Sequence, residues 1–173
     1  MSEQPFLSRP HLSYKKSFIR ATHEFEKEGR RPPWSFTALN NHFDEYVDTV
    51  LEHADQPLPG FVPQTTYWLI VAGQYTGTID IRHHLTSALQ KFGGHIGYQI
   101  RPSMRQKGYG TLQLKLCLPI VWQMGIERVL ITCDDDNIGS QKIIEANGGV
   151  LQDKVDNGRA SLTRRYWVEK PSS

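Results

Sequence analysis

The sequence predicts a mixed α/β domain built on one central sheet. Three observations lead there. Up to residue 60 the apolar residues recur at helical spacing; from about residue 65 the pattern turns to short runs rich in β-formers; and further helix-periodic stretches lie between those runs rather than after them. At 173 residues the chain is long enough for one well-packed domain and short for two. A single domain over 1–173 is therefore expected, with an N-terminal strand and two helices over 1–60 and the sheet over 65–168.

The elements follow in order. A short extended start falls near Pro5–Leu7. In "SYKKSFIRATHEFEKEG", Phe18, Ile19, Ala21 and Phe25 recur at helical spacing among charges, and Gly29 with "RRPPW" ends the helix, because consecutive prolines cannot continue one. "TALNNHFDEYVDTVLEHA" places Leu39, Phe43, Tyr46, Val47, Val50 and Leu51 on a 3.6-residue period and reads as a second helix, followed by the proline-rich connector "DQPLPGFVPQT". "TYWLIVAG" and "YTGTIDIRHHL" read as strands joined at Gly73–Gln74, and "TSALQKF" as one or two helical turns. "HIGYQIR" is again a strand; Gly97 inside it marks a bulge or a close backbone approach. In the helix that follows, Leu112, Leu116, Ile120 and Met124 recur every fourth residue, Gly125 supplies the stop, and Pro119 should kink or shorten it. "RVLITC" suits a strand covered on both faces; "DDDN" offers caps to the short helix "IGSQKIIEA"; and "VLQDKV" and "ASLTRRYWVE" flank an Asp156–Asn157–Gly158 turn.

Composition narrows the function classes. A net charge of +2 is too small to argue for nucleic acid, although a small anionic ligand needs only a local positive pocket. Cys117 and Cys133 lie in apolar runs and read as buried, reduced thiols of a cytoplasmic protein. The N-terminus lacks a signal-peptide core, and no stretch approaches the roughly 18–20 apolar residues of a membrane span, so no membrane partner is expected.

The segment that demands explanation is "MRQKGYGT", which places Arg105, Gln106, Lys107, Gly108, Tyr109, Gly110 and Thr111 between a strand and a helix. Glycines weaken a helix start, so they need a reason. The first N–H groups of a helix have no internal partner and carry partial positive charge, and an anion docks there readily. On this reading Gly108 and Gly110 remove side chains that would obstruct an anion, and Arg105 and Lys107 add charge. The spacing lacks the Lys–Ser/Thr pair of a triphosphate P-loop and the third glycine of a dinucleotide fingerprint.

The context sharpens this. "HIGYQIRP", then Arg105, Gly108 and Gly110, then "DNIGSQKIIEANGG" with Asn137 and Ser140, resemble the motifs of the GNAT superfamily of acyl-CoA-dependent N-acyltransferases over roughly residues 65–168. The resemblance implies a mostly antiparallel mixed sheet splayed between its fourth and fifth strands, flanked by helices, with acetyl-CoA as co-substrate and no metal. Pantetheine would lie in the splay on backbone groups near Gln99, Ile100 and Arg101, assisted by Gly97; the diphosphate would rest on N–H groups of residues 106–110; Asn137 would reach the pantetheine arm. A homodimer is a habit of such proteins.

Amide formation from a thioester needs a neutral amine, and deprotonating an ammonium of pKa near 10 at pH 7 costs on the order of 4 kcal/mol. A general base is therefore expected. Where the family commonly has a glutamate this chain offers His95, with Asp80, His83 and His84 next. The family's usual acid, a tyrosine seven residues after the asparagine, is replaced by Ile144, which leaves Ser140, Tyr109 or water. Trp34, Phe36, Phe61, Tyr67 and Trp68 are candidates to wall a pocket for a small amine or a peptide acceptor. Two alternatives stay open: an acyl-CoA sensor without catalysis, and a nucleotide or nucleic-acid binder using the basic loop.

Overall fold

The computed structural model describes residues 4–172. Its strands are β1 (Phe6–Ser8), β2 (Gln64–Val71), β3 (Gln74–Arg82), β4 (Ile96–Ile100), β5 (Arg128–Asp134), β6 (Val150–Val155) and β7 (Thr163–Glu169). Its helices are α1 (Lys15–Lys27), α2 (Phe36–Asn41), α3 (Phe43–Glu52), α4 (Ser87–Lys91), α5 (Tyr109–Gln123) and α6 (Ile138–Ala146). All seven strands form one sheet in the order β1-β2-β3-β4-β5-β7-β6, antiparallel throughout except between β4 and β5. β1 pairs with β2, so the N-terminal segment is part of the same sheet.

Each face of the sheet has its own core. Period-two alternation sends Ile79, Ile81 and Ile96 to one face, where they meet Leu114, Cys117, Leu118 and Val121 of α5 and Ile144 of α6. Trp68, Ile70 and Tyr75 point the other way, into an aromatic cluster with Phe18 and Phe25 of α1 and Phe43 and Tyr46 of α3. Phe18 sits at its centre, stacked on Trp68 at 4.8 Å and edge-on to Tyr75 at 5.0 Å. Both cysteines are free and buried.

Several expectations change. The second helix is two: the chain breaks at His42 (φ −131°, ψ 44°), and α2 starts on a Ser35 side chain that accepts from Ala38 N–H. The β2–β3 turn is centred on Ala72–Gly73, both at positive φ, rather than on Gly73–Gln74. Pro119 does not end α5, which runs to Gln123; Pro119 and Lys115 are both exposed, so the hydrogen bond that proline forfeits faces water. The buried face of α5 is Leu114–Cys117–Leu118–Val121, and the every-fourth-residue series Leu112, Leu116, Ile120 and Met124 flanks it. Asn137, not the preceding aspartates, caps α6, while Asp135 is paired with Arg164 and Lys154.

Candidate active site

The sheet opens where its one parallel pair lies. β4 and β5 pair only at Ile96 and Ile131, and the remainder of β4 runs free of its neighbour. Hydrogen bonds from Arg82 N to His95 O and from Arg101 N to Thr76 O fix the parity of the β3–β4 ladder. In an antiparallel ladder bonded and non-bonded pairs alternate, so the main-chain groups of Gln99 and Arg101 face β3 and those of Tyr98 and Ile100 face the gap. That corrects the expectation for Gln99 and Arg101, whose amides are spent within the sheet. Gly97 has a different role from easing the splay. A Cβ there would come within 3.3 Å of the Arg82 guanidinium, which crosses over Gly97 to donate to Gly93 O (2.9 Å) and Gly94 O (3.1 Å).

At the end of β4 lies a groove of about 520 Å3 lined by Tyr98, Ile100, Gln106, Gly108–Thr111, Asn137 and Ser140. Gln106 (φ 58°) and Gly108 (φ 80°) are both left-handed, a backbone alternation that turns successive N–H groups toward one concavity. None of the N–H groups of residues 106–111 donates a hydrogen bond among the described residues; the first bond of α5 runs from Leu112 N to Gly108 O. Six adjacent donors thus stand at the positive end of a 15-residue helix.

The two glycines serve different ends. Gly108 is required by its φ, and a Cβ there would meet nothing within 4 Å. Gly110 lets α5 close on α6, because its Cβ would lie 2.4 Å from Ile143 Cδ1; clearing room for an anion is not its task. Arg105 does not supply free charge either. Its guanidinium grips Glu28 through two bonds (2.7 and 3.0 Å) and donates to Ile100 O, tying the loop to α1. Arg101 is likewise held by Glu24, whose other oxygen accepts Ser103 N–H. Lys107 stays exposed, its Nζ donating to Ser103 O.

Asn137 and Ser140 line this groove and also a second cavity of about 430 Å3 between β4 and β5, as does Tyr98. Asn137 Oδ1 accepts Ser140 N–H at 3.0 Å, and the Tyr98 hydroxyl donates weakly to Ser140 O at 3.4 Å. Burial pushes the Tyr98 phenol up to about 12, so it stays protonated at neutral pH. Ile144 is fully buried in the core.

His95 is not placed for base chemistry. It is 8% exposed and lines none of these cavities, and its Nδ1 accepts the Leu130 N–H at 2.9 Å. A neutral imidazole has one free lone pair, and here a backbone donor occupies it. Burial, aided by the Arg82 charge, lowers its pKa further. His83 is turned away to Thr65.

Asp80 is placed differently. It lies on the floor of a third cavity, about 340 Å3, bounded by α1, the loop after it, α3 and the strand face of β2–β4. Its Oδ1 accepts the Thr66 hydroxyl at 2.6 Å, and the Gln64 side chain lies close enough to the carboxylate to oppose the rise in its pKa. Burial raises its pKa, against the opposing influence of Thr66 and Arg82. His53, whose Nε2 is buried without a protein partner, lines the same cavity. Of the aromatic residues expected to wall a pocket, only Trp68 does; Phe61 is 72% exposed, Phe36 stacks on His23, and Phe18, Phe25, Tyr46 and Tyr75 form the actual walls. Arg30 and Gln99 border both this cavity and the groove, joined by a 3.2 Å hydrogen bond. His53 and the walls were hidden in the sequence because they converge from α1, α3, the residue after α3, β2 and β3, and no local spacing links them.

Comparison with known proteins agrees with this architecture. The family model described as "Acetyltransferase (GNAT) domain" matches residues 19–150. Among solved structures, RimL, a ribosomal L7/L12 alpha-N-protein acetyltransferase in complex with coenzyme A, superposes with a TM-score of 0.66 at 16% identity, covering 95% of this chain and 93% of that one. The microcin C7 self-immunity acetyltransferase MccE, in complex with acetyl-CoA and AMP, gives 0.66 at 15% identity over 96% and 93%. A chimera of the Vibrio cholerae spermidine N-acetyltransferase SpeG gives 0.65 at 14% over 96% and 96%. At such identities these likenesses establish the fold. No curated protein matches the sequence.

Proposed function

The chain belongs to the GNAT acetyltransferase family, and from that premise we propose that it transfers acetyl from acetyl-CoA to a primary amine by direct attack in a ternary complex. The observation that carries this reading is the run of unpaired N–H groups at residues 106–111, set at a helix N-terminus beside the gap between β4 and β5. The diphosphate of coenzyme A is the anion those donors suit, and pantetheine then follows the gap-facing edge of β4, at the main-chain groups of Tyr98 and the N–H of Ile100, toward Asn137.

The amine occupies the cavity above Asp80. Asp80, directly or through one water, takes the ammonium proton; its raised pKa makes it a better base than an ordinary aspartate. The neutral nitrogen attacks the thioester carbonyl, the tetrahedral adduct releases its second N–H proton to water, the carbonyl re-forms as the carbon–sulfur bond breaks, and the thiolate leaves. Ser140 and the protonated Tyr98 phenol both line the cavity between β4 and β5, and these two hydroxyls are the candidate donors to the departing sulfur. A thiolate of pKa about 8.5 needs modest help.

The buried Ile144 favours one competing reading, an acyl-CoA sensor on the same fold. Thiol release separates the two. Purified protein with acetyl-CoA and a panel of amines, amino acids and short peptides should release free thiol with at least one acceptor. Tight coenzyme A binding with no release across the panel would favour the sensor.

A further inference from the structure

The acceptor cavity is unevenly charged along its depth. Asp80 lies on its floor, whereas the exposed Arg30 and Arg31 stand at its rim on the loop after α1. Arginines nearby are neutralised: Glu24 holds Arg101 and Glu28 holds Arg105. Those two pairs engage Glu24 of α1 and Glu28 just beyond its end. Arg30 has no carboxylate within salt-bridge distance among the described residues. Its guanidinium is fixed instead by Gln99 at 3.2 Å and by the Phe25 ring at 5.4 Å. Arg31 makes no side-chain hydrogen bond or ion pair among the described residues, and Pro32–Pro33 restrict the backbone immediately after it.

A cavity of about 340 Å3 with aromatic walls, an anion at its floor and two uncompensated cations at its rim selects by charge order. We propose that the acceptor is a small amino acid-type molecule, entering amine first, with its ammonium directed to Asp80 and its carboxylate held by Arg30 and Arg31. This deepens the acyltransferase reading and rests on it. A guanidinium fork matches a carboxylate through two parallel hydrogen bonds, so the free acid is favoured over its amide. A polyamine is disfavoured, because its second ammonium would meet the rim arginines.

The test uses matched pairs: 4-aminobutyrate, 6-aminohexanoate and L-phenylalanine, each against its carboxamide, with spermidine as the polycation. Two readouts are taken on the full chain: thiol release with acetyl-CoA, and calorimetric binding of the same compounds to protein saturated with coenzyme A. At least one acid should exceed its amide by about tenfold in both kcat/KM and affinity. Arg31→Glu should remove that preference while the KM for acetyl-CoA stays within about twofold. Equal binding of every acid and its amide, a preference that survives Arg31→Glu, or spermidine as the best acceptor would overturn the proposal. Acid-selective binding without thiol release would instead overturn the acyltransferase reading and leave the charge assignment standing, and thiol release without acid preference would do the reverse.

Discussion

Asp80 brings a carboxylate to a cavity floor where burial pushes its pKa above the ordinary aspartate value, and that has a price in stability. The folded protein holds this proton more tightly than the unfolded chain. Ionised Asp80 therefore destabilises the fold above its unfolded pKa of 3.8, increasingly as pH rises through the folded value. Asp80→Asn keeps an oxygen to accept the Thr66 hydroxyl but removes the charge and the base. We expect kcat/KM to fall by about 10²–10⁴-fold while the melting temperature at pH 7 rises, with a smaller rise near pH 4. A variant with unchanged turnover would remove Asp80 from the chemistry. The sequence offered Asp80 second to His95, and the reason is local. A histidine just ahead of a strand reads as a poised base, but Gly94 (φ 61°) approaches Leu130 so closely that a Cβ would lie 2.4 Å from its carbonyl oxygen. That contact sets the His95 ring against the Leu130 N–H, and nothing in the spacing announces it.

α5 shows what one element owes to each of its glycines. Gly110→Val would drive a branched side chain into Ile143 and should destabilise the protein by about 1–3 kcal/mol, seen as a lowered denaturant midpoint. Gly108→Asp meets no neighbour and places an anion beside the six free N–H groups. It should leave the midpoint within about 1 kcal/mol of wild type, since aspartate tolerates left-handed backbone, yet abolish calorimetric binding of acetyl-CoA. Equal stability losses in the two variants would contradict this division of labour. The loop was legible because a strand, a basic glycine-rich turn and an apolar helix are consecutive in the chain. The separate duties of its glycines were not, since one depends on a φ angle and the other on α6, nearly thirty residues on.

At the scale of the molecule, α1 clamps the end of β4 and the loop after it to the aromatic core through Glu24–Arg101 and Glu28–Arg105. Burial alone would raise the Glu24 pKa, but hydrogen bonds from Arg101 and Ser103 outweigh it and hold the carboxyl below the usual 4.5. The folded state thus sheds this proton at lower pH than the unfolded chain. The stability it contributes is fully present above about pH 4.5 and is lost as pH falls through the lowered folded value. Thermal midpoints should drop as pH falls from about 5 to about 3, and Glu24→Gln should flatten that slope; an unchanged slope would mean the clamp is idle. The order of strands and helices along the chain follows from the alternation and periodicity written in the sequence, whereas the clamp joins side chains 77 residues apart and is visible only in three dimensions. The account as a whole turns on the amides of residues 106–111. Backbone amide NMR of the protein titrated with coenzyme A, and separately with pantetheine, reads them directly. The amide signals of 106–111 should move downfield and gain hydrogen-exchange protection with coenzyme A and stay near their free positions with pantetheine, which lacks the diphosphate. Amides unmoved by coenzyme A, or moved equally by both, would contradict it.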